Sequence, residues 1–151
     1  MDRKDRCCLC LELKWFIEPA EIREIEERTE ELKNGVLQAK KLRALYERRD
    51  ERLVRDVLRI EPDYLFRTAV ASQNWIGHAE AQDDDIPIIK VWHLLHKIRD
   101  CGSLRETMGW LSQRKYLPVE GTDFNVQPME ISCGGWTCDW YGIEPLRADQ
   151  D

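Results

Sequence analysis

The sequence predicts a single α+β domain that is mainly α-helical, with about five helices around a central apolar helix at residues 86–100. Three observations support this fold class. The segment 86–100 is the most apolar run of the chain and has helical spacing. Apolar positions repeat with a helical period through most of residues 19–116. The N-terminal segment 7–17 and the C-terminal segment 124–143 alternate instead, and are expected to share a small antiparallel sheet.

Length and charge narrow the class of protein. A chain of 151 residues fits one domain over residues 1–151, and its net charge of -6 makes the whole-molecule field repel nucleic acid and anionic membranes. No apolar run reaches the roughly 18 residues of a membrane span, and no signal peptide is recognisable. We therefore expect no membrane association and a cytoplasmic location. Because the cytoplasm is reducing, we expect the six cysteines to be free thiols or metal ligands and not to form disulfides.

The first element is a strand at residues 7–17. Leucines 9, 11 and 13, followed by Trp15 and Ile17, alternate with Glu12 and Lys14. A period of two with one apolar face is typical of a half-buried strand.

Residues 19–60 are predicted to form a charged helical hairpin. The first helix is acidic, and Gly35 is expected to end it as a C-terminal cap. The alternative is one long rod, because the apolar positions of residues 22–60 keep the spacing of a heptad seam. Arg43 and Asp50 occupy core positions of that seam, which favours the hairpin.

Residues 63–116 are predicted to be the helical core. A helix is expected over residues 63–81, and the central helix follows it, with Asp85 as N-cap and Gly102 as its end. The next helix begins with the capping-box sequence Ser103-Leu104-Arg105-Glu106.

The C-terminal segment 124–143 is predicted to be a β-hairpin on a two-residue Gly-Gly turn, followed by a frayed tail at residues 146–151. This turn places Cys133 opposite Trp136, Ile131 opposite Cys138 and Met129 opposite Trp140. One face of the hairpin is therefore apolar. The other face carries Glu130, Ser132, Thr137 and Asp139.

Tyr141 also falls on the face opposite the apolar one, where an exposed aromatic residue suits a protein interface.

The cysteines suggest one metal site. Cys7 and Cys10 have the spacing of a zinc half-site, and Cys133 and Cys138 flank the predicted turn. If the first strand pairs beside the hairpin, the four thiolates are expected to hold one structural zinc. The alternative needs no cofactor, since Cys133 and Cys138 then serve as small buried hydrophobic residues.

The second half of the charged hairpin is basic. A stripe of this kind can bind phosphates. Opposite charges on adjacent antiparallel helices are the simpler explanation, because residues 18–33 are acidic. The residues that would contact nucleic acid or a partner are Lys40, Lys41, Arg48, Arg49, Arg52, Arg55 and Arg59.

No catalytic motif is recognisable, so we expect a protein that is not an enzyme. The predicted function is a non-catalytic protein-interaction module, as a small subunit or an inhibitor of a larger intracellular assembly. By analogy, a phage-encoded blocker of a host nucleic-acid machine would fit. One alternative is a nucleic-acid-binding protein that uses the basic helix 40–59, and another is a zinc-stapled regulatory protein. A protein partner is expected, with nucleic acid as part of a larger complex.

Overall fold

The computed structural model describes residues 1–16, 21–73 and 81–146. They belong to two compact units, Met1–Tyr116 and Leu117–Asp151. The elements of the first unit are β1 (Cys7–Lys14), α1 (Ile22–Glu47), a π-helix (Arg52–Leu58), β2 (Leu65–Ser72), β3 (Ile88–Lys90), α2 (Val91–Cys101) and α3 (Leu104–Ser112). The second unit contains β4 (Phe124–Cys133) and β5 (Trp136–Pro145). The sequence analysis predicted one domain over residues 1–151. That remains a prediction, because a division into compact units does not show whether the units fold cooperatively.

A three-stranded parallel sheet, in the order β1-β2-β3, organises the first unit. β1 pairs with β2 from Cys7 opposite Leu65 to Lys14 opposite Ser72. The predicted sheet shared by the N-terminal strand and the C-terminal hairpin is therefore wrong, since β1 belongs to the sheet with β2 and β3 and the hairpin forms a separate two-stranded sheet. The physical reason is the long helix α1, which provides the crossover connection that two parallel strands require.

α1 is one continuous helix of 26 residues, so the predicted hairpin over residues 19–60 is wrong. Gly35 lies inside the helix instead of ending it. A Cβ atom at Gly35 would lie 3.0 Å from Lys14 Cε and 3.4 Å from Val70 Cγ1, so the glycine lets α1 approach the sheet closely. The long-rod alternative is correct only as far as Glu47, because a π-helix follows. Residues 17–20 lie outside the described part.

β2 occupies the middle of the sheet, where a helix over residues 63–81 was expected. Val70 packs with α1 on one face, and Ala71 packs with Leu94 and Leu111 on the other. A central parallel strand is apolar on both faces, so its sequence does not alternate and resembles that of a buried helix. Residues 74–80 of the expected helix lie outside the described part.

The predicted central helix at 86–100 begins later than expected. Residues 88–90 form the edge strand β3, and α2 starts at Val91. Leu94 is the buried residue of α2, whereas Trp92 is 60% exposed, so the packing centre is β2 and not this helix. The two caps that follow are confirmed: Gly102 ends α2 with a φ of 62°, and the Ser103 hydroxyl accepts a hydrogen bond from the Glu106 N–H.

Helices cover both faces of the sheet. Leu32 and Val36 of α1 pack on one face, and Leu94 of α2 and Leu111 of α3 pack on the other. The predicted mixture of helices and strands with a small antiparallel sheet is confirmed. The expectation of a mainly helical protein with about five helices is only roughly matched, because the described residues form four helices, including the π-helix.

β1 is an edge strand, and its leucine face is less buried than the sequence predicts. Leu13 and Trp15 are exposed, and β1 ends at Lys14. Ile17, the last residue of the predicted strand, lies outside the described residues. An edge strand has a neighbouring strand on one side only, and on this face of β1 Leu13 and Trp15 remain in solvent.

The second unit is the predicted hairpin. Gly134 and Gly135 have φ values of 56° and 83°, and the two strands meet at this two-residue turn. The predicted register is confirmed at its three pairs, Cys133 opposite Trp136, Ile131 opposite Cys138 and Met129 opposite Trp140. The expected tail at residues 146–151 lies outside the described residues except for Leu146.

Candidate interaction surfaces

The apolar face near the hairpin turn is exposed to solvent. We call it the tip face, and it consists of Met129, Ile131, Cys133, Trp136, Cys138 and Trp140. Trp136 is 82% exposed and Trp140 is 62% exposed. Large aromatic side chains of this kind are enriched in protein interfaces and are costly to leave in water.

A second apolar surface lies farther from the turn, on the opposite face of the same hairpin. We call it the base face, and it consists of Val126, Pro128, Tyr141 and Ile143. Val126 pairs with Ile143, and Pro128 pairs with Tyr141. Tyr141 lies on the face predicted for it, and both Tyr141 and Ile143 are 73% exposed. The sequence analysis missed the base face, although the change of apolar side within each strand is visible in the alternation.

The polar contacts of the hairpin run across the two strands. The hydroxyls of Ser132 and Thr137 lie 3.1 Å apart, and Gln127 donates to the Glu144 carboxylate. Glu130 stands directly opposite Asp139, and two like charges in this position repel each other.

Every charged side chain in residues 117–146, the described part of the C-terminal unit, is acidic. Residues 117–146 contain five carboxylates and no lysine or arginine. Residues 1–116 contain equal numbers of acidic and basic side chains, so most of the net negative charge of the chain belongs to the hairpin and its flanks.

The predicted zinc ligands do not come together within the first unit. Side chains three residues apart on a strand point to opposite faces, which separates Cys7 from Cys10 on β1. Cys133 and Cys138 share the tip face, but both are exposed, so the alternative that they are buried is wrong. Among the described residues no group of three or more His, Cys, Asp or Glu side chains is arranged to hold a metal ion.

A different cysteine pair lies beneath α1. The sulfur atoms of Cys8 and Cys10 are 3.9 Å apart. The hydrogen bond between these thiols lowers the pKa of Cys8 to about 7, although burial opposes this shift. The same hydrogen bond, reinforced by burial, raises the pKa of Cys10, so Cys10 retains its proton. Cys8 is buried among Val54, Ile60 and Phe66, which shields it from reagents in solvent.

The basic residues of the sequence analysis separate into two groups. Lys40 donates to the Asp83 carboxylate at 2.6 Å, while Lys41 is exposed. The five arginines follow the end of α1 and run along the π-helix, and all of them are exposed: Arg48, Arg49, Arg52, Arg55 and Arg59. The sequence analysis predicted that an acidic helix packs antiparallel against a basic helix with complementary charge. This prediction is wrong, because α1 contains most of the acidic segment and the start of the basic segment in one continuous helix.

The first unit also contains a cavity of about 320 Å³ beside the amino-terminal half of β2. Arg43, which the sequence analysis treated as a broken seam position, lines it together with Arg67 and Arg114. In the sequence, the only signal for this cavity was the charged residue Arg43 at an apolar position of the predicted heptad seam. The lining residues from β2 and α3 come near Arg43 only in the folded chain, so no sign of them is visible in the sequence.

In the described part of the chain, no helix has the length and apolar composition needed to cross a bilayer. No protein-family model matches the chain, and searches of curated proteins and of solved structures likewise return no match.

Proposed function

We propose that the protein is a non-catalytic interaction module, a small subunit or inhibitor of a larger intracellular assembly, which binds its protein partner through the hairpin. The observation that supports this proposal is the tip face. Trp136, Trp140, Met129 and Ile131 present a continuous apolar surface, and each is more than one third exposed.

The stability of the hairpin supports the same proposal. A two-stranded hairpin is at best marginally stable in water, and it gains stability when a third element covers an apolar face. Burial contributes about 25 cal/mol per Å² of apolar surface, and aromatic side chains bury the largest areas. A partner that covers Trp136 and Trp140 would therefore stabilise both the complex and the hairpin.

The charge of the hairpin indicates the chemistry of the partner. Residues 117–146 carry five carboxylates and no lysine or arginine, and Glu130 stands opposite Asp139, so a partner with an acidic surface is disfavoured. Lysine or arginine side chains on a partner would relieve this repulsion and guide the encounter. The expected partner site is an apolar groove bordered by basic residues.

The test compares two variants in quantitative affinity capture from the source cells. Trp136→Ser with Trp140→Ser removes the two largest tip-face side chains. Trp15→Ser is the matched control, because Trp15 is a 79% exposed tryptophan of the first unit. We expect at least one protein to be retained by the wild type and by the control, and to fall by about tenfold or more with the double variant.

Purified components then decide whether that contact is direct. The captured protein should bind the wild-type chain in isolation, and its affinity should fall at high salt. Equal retention by all three chains would contradict the proposal. A self-associated species in native mass spectra, lost with the double variant, would assign the tip face to a second copy instead.

The exposed arginines favour a second candidate, which is nucleic-acid binding along residues 40–59. Arg48, Arg49, Arg52 and Arg55 form a run of exposed cations after α1. If it is correct, purified protein binds a labelled oligonucleotide with strongly salt-dependent affinity, and Glu substitutions at these four positions abolish binding. Arg99→Glu, at an exposed position on α2, serves as the control. Salt-independent or absent binding would rule out this candidate.

A zinc-stapled regulatory protein is the remaining candidate from the sequence. It requires Cys7 and Cys10 to act with Cys133 and Cys138, and the opposite orientation of the first pair on β1 weighs against it. Native mass spectra of the purified chain, repeated after acid denaturation, decide the point. A mass excess of one zinc ion, lost on denaturation and absent in Cys10→Ser, would favour this candidate.

A further inference from the structure

The cavity in the first unit lies beside the part of β2 that β3 is too short to reach. β3 pairs with Val70, Ala71 and Ser72, so no β3 residue pairs with the amino-terminal half of β2. At this edge, α1, α3 and the loop before β3 enclose a space of about 320 Å³. That volume is near the lower end of small-molecule sites, which span about 300–1,000 Å³.

Part of the lining is apolar. Leu9, Pro87, Met108 and Leu111 contribute hydrophobic surface, and the last three are buried. A ligand with a short hydrocarbon group would gain stability from contact with this surface.

Two arginines present their charges without a carboxylate partner. The Arg67 guanidinium donates to the Phe66 carbonyl at 3.0 Å, and that of Arg114 donates to the Tyr116 hydroxyl at 2.9 Å and to the Asp83 carbonyl. Neither arginine forms an ion pair within the described part of the chain. These neutral acceptors orient the guanidinium groups and leave their positive charge available for a carboxylate.

Three carboxylates line the same cavity. Arg43 lies 3.5 Å from the Asp85 carboxylate and 3.7 Å from that of Glu47, both longer than an ordinary hydrogen bond. Asp84 has no ion pair in the described residues. The carboxylates of Asp84, Asp85 and Glu47 therefore retain acceptor capacity for an ammonium group.

Thr68 provides an independent observation. It lines the cavity, it is only 4% exposed, and its Oγ1 is buried without a hydrogen-bond partner in the described structure. A buried hydroxyl without a partner is uncommon and costs stability, so a polar atom of a ligand would satisfy it.

We infer that this cavity binds a small zwitterion that carries a carboxylate, an ammonium group and a short apolar side chain, which is the chemistry of a free apolar amino acid. Three guanidinium groups and three carboxylates line the space, so a ligand with one charge of each sign preserves the balance. A simple anion or a simple amine would meet like charges without compensation.

The test is a nuclear magnetic resonance titration of the full chain with leucine, isoleucine, methionine and phenylalanine at millimolar concentration. We expect at least one of them to shift the amide signals of Thr68 and Leu111 in a saturable way. The analogues 4-methylpentanoate and 3-methylbutylamine each keep one charge of leucine and should bind about tenfold more weakly or less. No binding from the panel, or equal binding by an analogue or by inorganic phosphate, would overturn the inference.

Two variants separate ligand binding from folding. Thr68→Val removes the unpartnered hydroxyl, so it should raise the melting temperature of the free protein and yet weaken the bound amino acid by about tenfold. Arg67→Met should also weaken binding, whereas Arg99→Met on α2 should not. Unchanged affinity in both Thr68→Val and Arg67→Met would refute the site, and the binding of a protein partner to the hairpin should not change in either.

Discussion

Gly35 illustrates how one residue type can serve two purposes. Glycine at the end of a segment with helical periodicity is typical of a C-terminal cap, and this led to the wrong prediction of a hairpin. In the fold, the absent side chain allows α1 to lie against Lys14 and Val70. The sequence does not distinguish these uses, because the second depends on a strand that is distant along the chain.

We expect Gly35→Ala to change the free energy of unfolding by less than about 1 kcal/mol, because the gain in helix propensity offsets a tight contact with the flexible Lys14 side chain. Gly35→Leu should destabilise by about 1–3 kcal/mol, since the larger side chain overpacks against Val70. Urea denaturation measures both. If Gly35→Leu is as stable as Gly35→Ala, the close approach of α1 to the sheet is incorrect.

Asp83 joins α1 to the loop before β3. Burial alone would raise the pKa of Asp83, but hydrogen bonds from Lys40 and from the N–H groups of Ile86 and Asp85 outweigh it and lower this pKa below 3.8. The stabilisation is therefore complete above that value and is lost as the pH falls through the lower pKa of the folded state.

Asp83→Asn should reduce the free energy of unfolding by about 1 kcal/mol at neutral pH. The difference from the wild type should shrink as the pH falls below 3.8, where the carboxyl group of the wild type becomes protonated. Denaturation at a series of pH values measures it, with the neighbouring Asp84→Asn as control. A difference that is constant with pH would show that the charge of Asp83 is unimportant.

Among the helices and strands, those features that depend on neighbouring residues were predicted correctly, and those that depend on residues distant along the chain were not. The hairpin register and the Gly102 and Ser103 caps could be predicted because a few neighbouring residues determine them. β2 could not, because its apolar run acquires a strand conformation only between two other strands. The same limit applies to the candidate sites. The tip face follows from alternation within the hairpin, whereas the cavity gathers residues from five separate parts of the chain.

The start of the π-helix depends on Asp50, whose carboxylate accepts a hydrogen bond from the Leu53 N–H at 2.8 Å. We expect Asp50→Ala to destabilise the protein by about 1 kcal/mol, as the loss of a helix N-cap does. Asp50→Asn keeps an acceptor oxygen and should lose much less. Thermal unfolding of both variants checks this prediction, and equal losses would attribute the effect to charge rather than to capping.

For the whole molecule, the question is whether the two compact units fold as one domain. Among the described residues, the three clusters of buried hydrophobic side chains lie within residues 1–116. We therefore expect a chain ending at Tyr116 to fold and to unfold cooperatively. Dispersed amide signals and a single thermal transition would agree with this expectation. An unfolded fragment would instead favour the original prediction of one domain over residues 1–151.

Near the turn the apolar residues lie on one face of the hairpin, and farther from the turn they lie on the other face. This switch determines where partner molecules can bind. The tip face and the base face point in opposite directions, and at about 3.4 Å per residue their centres, four residues apart, lie roughly 14 Å apart along the strands. One protein seated on the tip face leaves Tyr141 and Ile143 uncovered. The hairpin is therefore suited to act as a bridge, with a different molecule held on each side of a ribbon only one strand layer thick.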